Sequence, residues 1–167
     1  VILMPTALGH VGIFQKLIVA LSKDPDFTFS IDPQGACKEK FDPLSAKKIC
    51  TSSKVLVLGR ASGSMDNEEI QSQVSKADKT VLISDYMYTP SAESEQYLPN
   101  QWPKSYGPPL LFFTPFKTSE TESEALQLGI AKEHVHEMGM YIKPIKPADN
   151  EEKKEMCQSL NITHTRK

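Results

Sequence analysis

Residues 55–84 read VLVLGRASGSMDNEEIQSQVSKADKTVLIS, and this stretch decides the fold class. It opens on four consecutive apolar residues, Val55–Leu58, between Lys54 and Gly59. A short continuous apolar run, rather than an alternating one, marks a strand covered on both faces, as in parallel sheets. Asp66, with Glu69 three residues on, makes a capping-box pattern and predicts a helix over Asn67–Ala77. Thr80–Ser84 is then a second buried strand that ends at Asp85. Strand, helix and strand in this order form a βαβ unit, whose crossover is right-handed.

The same alternation continues on both sides. Towards the amino end, Val1–Met4 reads as a strand closed by Pro5. Val11, Phe14, Leu17, Ile18 and Leu21 recur at the helical period and predict a helix over Val11–Lys23, stopped by Asp24-Pro25-Asp26. Phe27–Ile31 is a short edge strand; Asp32–Ser53 is irregular, with one helical turn near Leu44–Ile49. Towards the carboxyl end, Tyr88–Pro109 is a long proline-rich loop with a helical turn at Ala92–Tyr97. Its aromatics (Tyr88, Tyr97, Trp102, Tyr106) either anchor a partner or cover the sheet edge. Leu110–Phe113 is a strand, Ser119–Leu128 a helix capped by Gly129, Met140–Ile142 the last strand, and Asn150–Leu160 a final amphipathic helix. The expectation is a flavodoxin-like three-layer α/β/α sandwich around a mostly parallel sheet of five or six strands. One domain spans residues 1–160, and 161–167 form a flexible tail.

Composition narrows the function classes. Apolar residues at 39% and charged residues at 24% are ordinary for a globular domain, and a net charge of −2 leaves no polybasic footprint for nucleic acid. No apolar run reaches membrane-spanning length. Cys37, Cys50 and Cys157 are odd in number and widely spaced, which argues against a disulfide framework or a zinc site and for reduced thiols in a cytoplasm. The Asn161-Ile162-Thr163 sequon carries no weight there. The chain opens within a strand, with no basic leader, and reads as a domain excised from a larger protein without a signal peptide. His134 and His136 lack a third ligand and read as solvent-exposed. Glu120, Glu122 and Glu124 read as the solvated, dipole-favoured start of a helix. No dinucleotide or phosphate-loop motif is present.

In such sheets chemistry gathers at the carboxyl ends of the strands. The residues found there are Pro5-Thr6, Gly59-Arg60, Asp85, Thr114 and Lys143-Pro144. Val81-Leu82-Ile83-Ser84-Asp85-Tyr86-Met87-Tyr88-Thr89-Pro90, Leu110-Leu111-Phe112-Phe113-Thr114 and Met140-Tyr141-Ile142-Lys143-Pro144 resemble, in order, three strands of response-regulator receiver domains. Glu124-Ala125-Leu126-Gln127-Leu128-Gly129 resembles the helix between the last two. Asp85 and Thr114 stand 29 residues apart, as do Thr114 and Lys143. The resemblance implies Asp85 as phospho-acceptor and magnesium ligand, Thr114 as the switch hydroxyl, and Lys143 as the phosphate partner after a cis Lys143-Pro144 bond.

The departures are equally specific. The first strand is followed by Pro5-Thr6-Ala7-Leu8-Gly9-His10, without the acidic pair that holds magnesium, and Val55–Leu58 is followed by Gly59-Arg60-Ala61. The favoured expectation is a pseudo-receiver of a hybrid histidine kinase or similar phosphorelay protein. It would dock other domains of that protein, or a phosphotransfer protein, without a cofactor. A working receiver, phosphorylated at Asp85 with magnesium, is the alternative. A third reading comes from Pro5–His10 and the helix after it, which resemble the first strand-turn-helix of nucleotide-sugar glycosyltransferases; that resemblance implies the N-terminal half-domain of such an enzyme, with His10 as general base on the acceptor, facing a deep cleft, and requires a second, donor-binding domain that 167 residues are too few to hold.

Overall fold

The computed structural model describes residues 1–41, 54–60, 68–85 and 90–140. Among the described residues, six parallel strands form one sheet: β1 (Ile2–Met4), β2 (Ser30–Ile31), β3 (Val55–Gly59), β4 (Lys79–Ile83), β5 (Leu111–Thr114) and β6 (Val135–Glu137). Their spatial order is β2-β1-β3-β4-β5-β6, and every neighbouring pair is parallel. Among the described residues, four α-helices accompany them: α1 (Val11–Ser22), α2 (Glu68–Lys76), α3 (Leu98–Gln101) and α4 (Ser119–Gln127). This is the flavodoxin-like α/β arrangement.

The pleat sorts the strand residues between two cores. Ile2, Met4, Leu56, Leu58, Leu82 and Phe112 face α2, α3 and α4 through Ile70, Val74, Leu98, Ala125 and Leu128. Leu3 and Ile83 face the other way, onto Phe14 of α1 and onto Phe29, Cys37 and Phe41. Right-handed crossovers that run in opposite directions along a sheet put their helices on opposite faces. The chain steps from β1 outward to β2, then back across β1 to β3 and on to β6. The order therefore reverses between β1 and β3, and a ligand crevice belongs outside the carboxyl ends of those strands.

Several elements differ from expectation, each for a local reason. The helical turn of the long loop is at Leu98–Gln101, not Ala92–Tyr97. Leu98 is fully buried and its N–H donates to the Glu124 carboxylate at 3.0 Å, while Pro99 is tolerated in a first helical turn. Of the loop aromatics, Tyr97 and Trp102 are buried, and Trp102 packs into the core that covers one face of the sheet. The sixth strand is Val135–Glu137, aligned with Phe112–Thr114 of β5; the strand expected over Met140–Ile142 falls on residues 141–142, which lie outside the described residues. Gly129 (φ +79°) ends the α4 region, and the turn Lys132–His134 feeds Val135 directly into register. Residues 44–49, Asp66-Asn67, Tyr88, Cys50, Cys157, Lys143-Pro144 and the final helix and tail expected over 150–167 lie outside the described residues. Among the described residues, no helix is long and apolar enough to cross a membrane.

Candidate functional site

The loop after β1 is built around an imidazole. A 3₁₀ turn, Leu8–His10, runs straight into α1, and the His10 side chain is completely buried at their junction, so it does not face the deep cleft expected of it. His10 Nδ1 accepts from two backbone N–H groups, Thr6 at 3.3 Å and Ala7 at 3.1 Å. The Thr6 hydroxyl donates to the Gly59 carbonyl at 2.7 Å and joins this loop to the end of β3. Cys37, buried beneath the same loop, donates to the Ala7 carbonyl at 2.9 Å. The two backbone donors occupy the Nδ1 lone pair, which leaves Nε2 as the ring nitrogen that can donate. That nitrogen lies 3.4 Å from Asp85 Oδ1, longer than a well-formed hydrogen bond but a close polar contact.

Asp85 arrives from β4, 75 residues away in sequence. Its side chain is 24% exposed against none for His10, so the carboxylate is the part of the pair that solvent reaches. Burial pushes the Asp85 carboxyl up. The hydrogen bond and charge of His10, the backbone hydrogen bond at Asp85 and the charge of Arg60 outweigh that and hold it below its ordinary value. Burial, and then the Asp85 charge, push the Cys37 thiol up.

Two glycines make the pair possible. A Cβ on Gly9 would lie 1.8 Å from Asp85 Oδ2, and one on Gly59 would lie 2.5 Å from His10 Nδ1. Neither glycine has the positive φ that only glycine favours. Both positions are small because side chains from other elements close on them.

Across the sheet from this pair, Arg60 carries on from Leu56 and Leu58 and is buried against Glu124 of α4. Their charged groups are 3.0 Å apart and both side chains are 1% exposed. Arg60 also donates to the Gln96 carbonyl, and Glu124 Oε1 accepts the Leu98 N–H, so the ion pair pins the start of α3 to the end of β3. Burial raises the Glu124 carboxyl above its ordinary value despite Arg60 beside it. Glu124 is therefore an interior residue, not part of a solvated helix start; Glu122, by contrast, pairs with Lys117 and Lys132.

Of the three residues expected from the receiver resemblance, Asp85 ends β4 and Thr114 ends the neighbouring β5. Ser84 carries the ladder on, its N–H donating to the Phe113 carbonyl at 2.8 Å, which puts Ser84 level with Thr114. By the pleat, Thr114 shares the Phe112 face, and Asp85 follows Ile83 on the His10 face. The Thr114 hydroxyl is buried and donates to the Phe116 carbonyl at 3.2 Å. Lys143 lies outside the described residues. The donors nearest Asp85 are an imidazole and, further off, a guanidinium, which do not suit magnesium. Among the described residues no group of three or more His, Cys, Asp or Glu could hold a metal ion, and His134 and His136 are exposed.

Sequence reasoning singled out His10 and Asp85 separately, each from a different resemblance, and the structure joins them. It missed Gly9 and Gly59 as contact positions and the Arg60–Glu124 pair. The one available signal was that Arg60 immediately follows an apolar strand, where burial obliges a charge to find a partner. Comparison with family models, curated proteins and solved structures finds no match for this chain, so its function is argued from the site alone.

Proposed function

We propose that this domain binds the acceptor in a group-transfer enzyme of the nucleotide-sugar glycosyltransferase kind, and that His10 and Asp85 together activate the acceptor hydroxyl. The observation that carries the reading is the His10 Nε2–Asp85 Oδ1 contact of 3.4 Å. It sits at the carboxyl ends of the strands, beside the point where the sheet order reverses. A hydroxyl that attacks the anomeric carbon of a nucleotide sugar must lose its proton as the carbon–oxygen bond forms and the nucleoside diphosphate departs with its electron pair. A positioned base lowers that barrier. The buried imidazole, tied to the Thr6 and Ala7 amides, supplies rigidity, and the partly exposed carboxylate supplies access.

The test is an amide NMR titration of the labelled chain with 4-methoxyphenol as a hydroxyl probe. Saturable shifts at Thr6–His10 and Asp85, lost in Asp85→Asn, are expected. No shift there, with a saturable response of Asp85 to magnesium and beryllofluoride instead, overturns the reading in favour of a phospho-accepting one.

The second reading is the receiver-like signalling module, docking a partner protein or accepting phosphate at Asp85. It is favoured by one feature, the placement of Asp85 and Thr114 after adjacent parallel strands. The basic surroundings of Asp85 and the turn of the Thr114 hydroxyl toward Phe116 favour it less.

A further inference from the structure

Within the reading above, we infer that the group meeting the acceptor hydroxyl is Asp85, through Oδ2, and that His10 is a positioning residue that never touches substrate. This reverses the roles implied by the Gly9-His10 resemblance. Three observations carry it. The His10 ring is 0% exposed, whereas the Asp85 side chain is 24% exposed. Nδ1 is committed to the Thr6 and Ala7 N–H groups, and buried Nε2, which makes no well-formed hydrogen bond, has Asp85 Oδ1 3.4 Å away. The second carboxylate oxygen, Oδ2, lies against the backbone of Gly9, where a single methyl would collide with it at 1.8 Å. Gly9 is itself exposed, so this oxygen borders the surface of the β1–α1 loop.

The step balances without a further reactant. The acceptor O–H bond breaks as its proton passes to Asp85 Oδ2. The acceptor oxygen forms a bond to the anomeric carbon of the nucleotide sugar, and the bond from that carbon to the diphosphate oxygen breaks, the electron pair leaving with the nucleoside diphosphate. His10 holds the carboxylate in place, and its Nε2–H offsets the negative charge on Oδ1. A carboxylate held ionised by His10 accepts a hydroxyl hydrogen bond over most of the pH range.

Two measurements test the roles. The first uses the protein without ligand: long-range proton–nitrogen NMR of the His10 ring, with diethyl pyrocarbonate labelling mapped by peptide. The ring should carry its proton on Nε2, and His10 should label slowly while exposed His134 and His136 label fast. A proton on Nδ1, or labelling of His10 as fast as the other two, overturns the assignment. The second follows 4-methoxyphenol affinity against pH in wild type, His10→Gln and Asp85→Asn. Affinity should hold until the pH falls below the ordinary carboxylate range, drop roughly tenfold or more in Asp85→Asn, and largely survive in His10→Gln, whose amide can still donate to Oδ1. A loss in His10→Gln as large as in Asp85→Asn overturns the assignment of the substrate contact to Asp85. If the probe binds no variant, the proposed function fails, while the ring and labelling data still decide which member of the pair is accessible.

Discussion

Replacing Arg60 with Met should be among the most damaging single changes in this protein. Arg60 and Glu124 are each 1% exposed and 3.0 Å apart, so neither charge has water to fall back on. Removing one member of such a pair leaves the other buried without compensation, at a cost of about 3–5 kcal/mol. Against a total stability of roughly 5–15 kcal/mol, that is a large share. It corresponds to a fall in Tm of roughly 6–20 °C for a chain of this size. Glu124 keeps only the Leu98 N–H in the variant. Adding Glu124→Gln removes the stranded charge yet retains an acceptor for that N–H, so the double variant should regain about 2 kcal/mol. The pH dependence has a definite sign. The Glu124 carboxyl is already raised in the folded state by burial, and loss of Arg60 raises it further. A raised carboxyl favours folding while protonated and loses that contribution as pH rises through its folded value. The deficit of Arg60→Met should therefore be largest at neutral pH and shrink toward acid. Urea unfolding followed by circular dichroism, for wild type, both single variants and the double, measures all of this. A cost below about 1 kcal/mol for Arg60→Met, with no recovery in the double variant, would refute the claim that the pair is desolvated.

Gly59→Ala should cost about 1–3 kcal/mol in the same assay, because its Cβ would lie 2.5 Å from Nδ1 of a ring with no room to retreat. Gly9→Ala should cost less stability, since the partly exposed Asp85 carboxylate can swing away, but it should abolish probe-induced shifts at Asp85. Asp85→Asn should flatten the acid limb of stability: the Asp85 carboxyl is lowered in the folded state, so its contribution is present above the ordinary carboxylate value and lost as pH falls through the folded one. Equal acid limbs in variant and wild type would contradict that. Cys37, fully buried and with its thiol raised by burial and by Asp85, should resist iodoacetamide at neutral pH until the protein unfolds, as read by peptide mass mapping.

The amino-acid sequence by itself determined the layered α/β class. Val55–Leu58, Val81–Ile83 and Leu111–Phe113 are continuous apolar runs, and the helical period in Val11–Ser22 lies between strands, so both signals are local and strong. Strand β6 was not legible in this way. Of Val135, His136 and Glu137 only Val135 is buried, because β6 lies at the sheet edge, and its identity comes from register against Phe112–Thr114. The same division holds at the site. That Asp85 ends a buried strand and that His10 opens a helix could be read along the chain. That they meet could not, because the contact depends on the pleat turning Asp85 to the α1 face and on two glycines yielding space to side chains from distant elements. Glu124 looked like one acid among three at a helix start. Only the packing of α4 over the end of β3 took it out of water and gave it Arg60, because burial is a property of what covers a residue and not of the residue's neighbours in sequence.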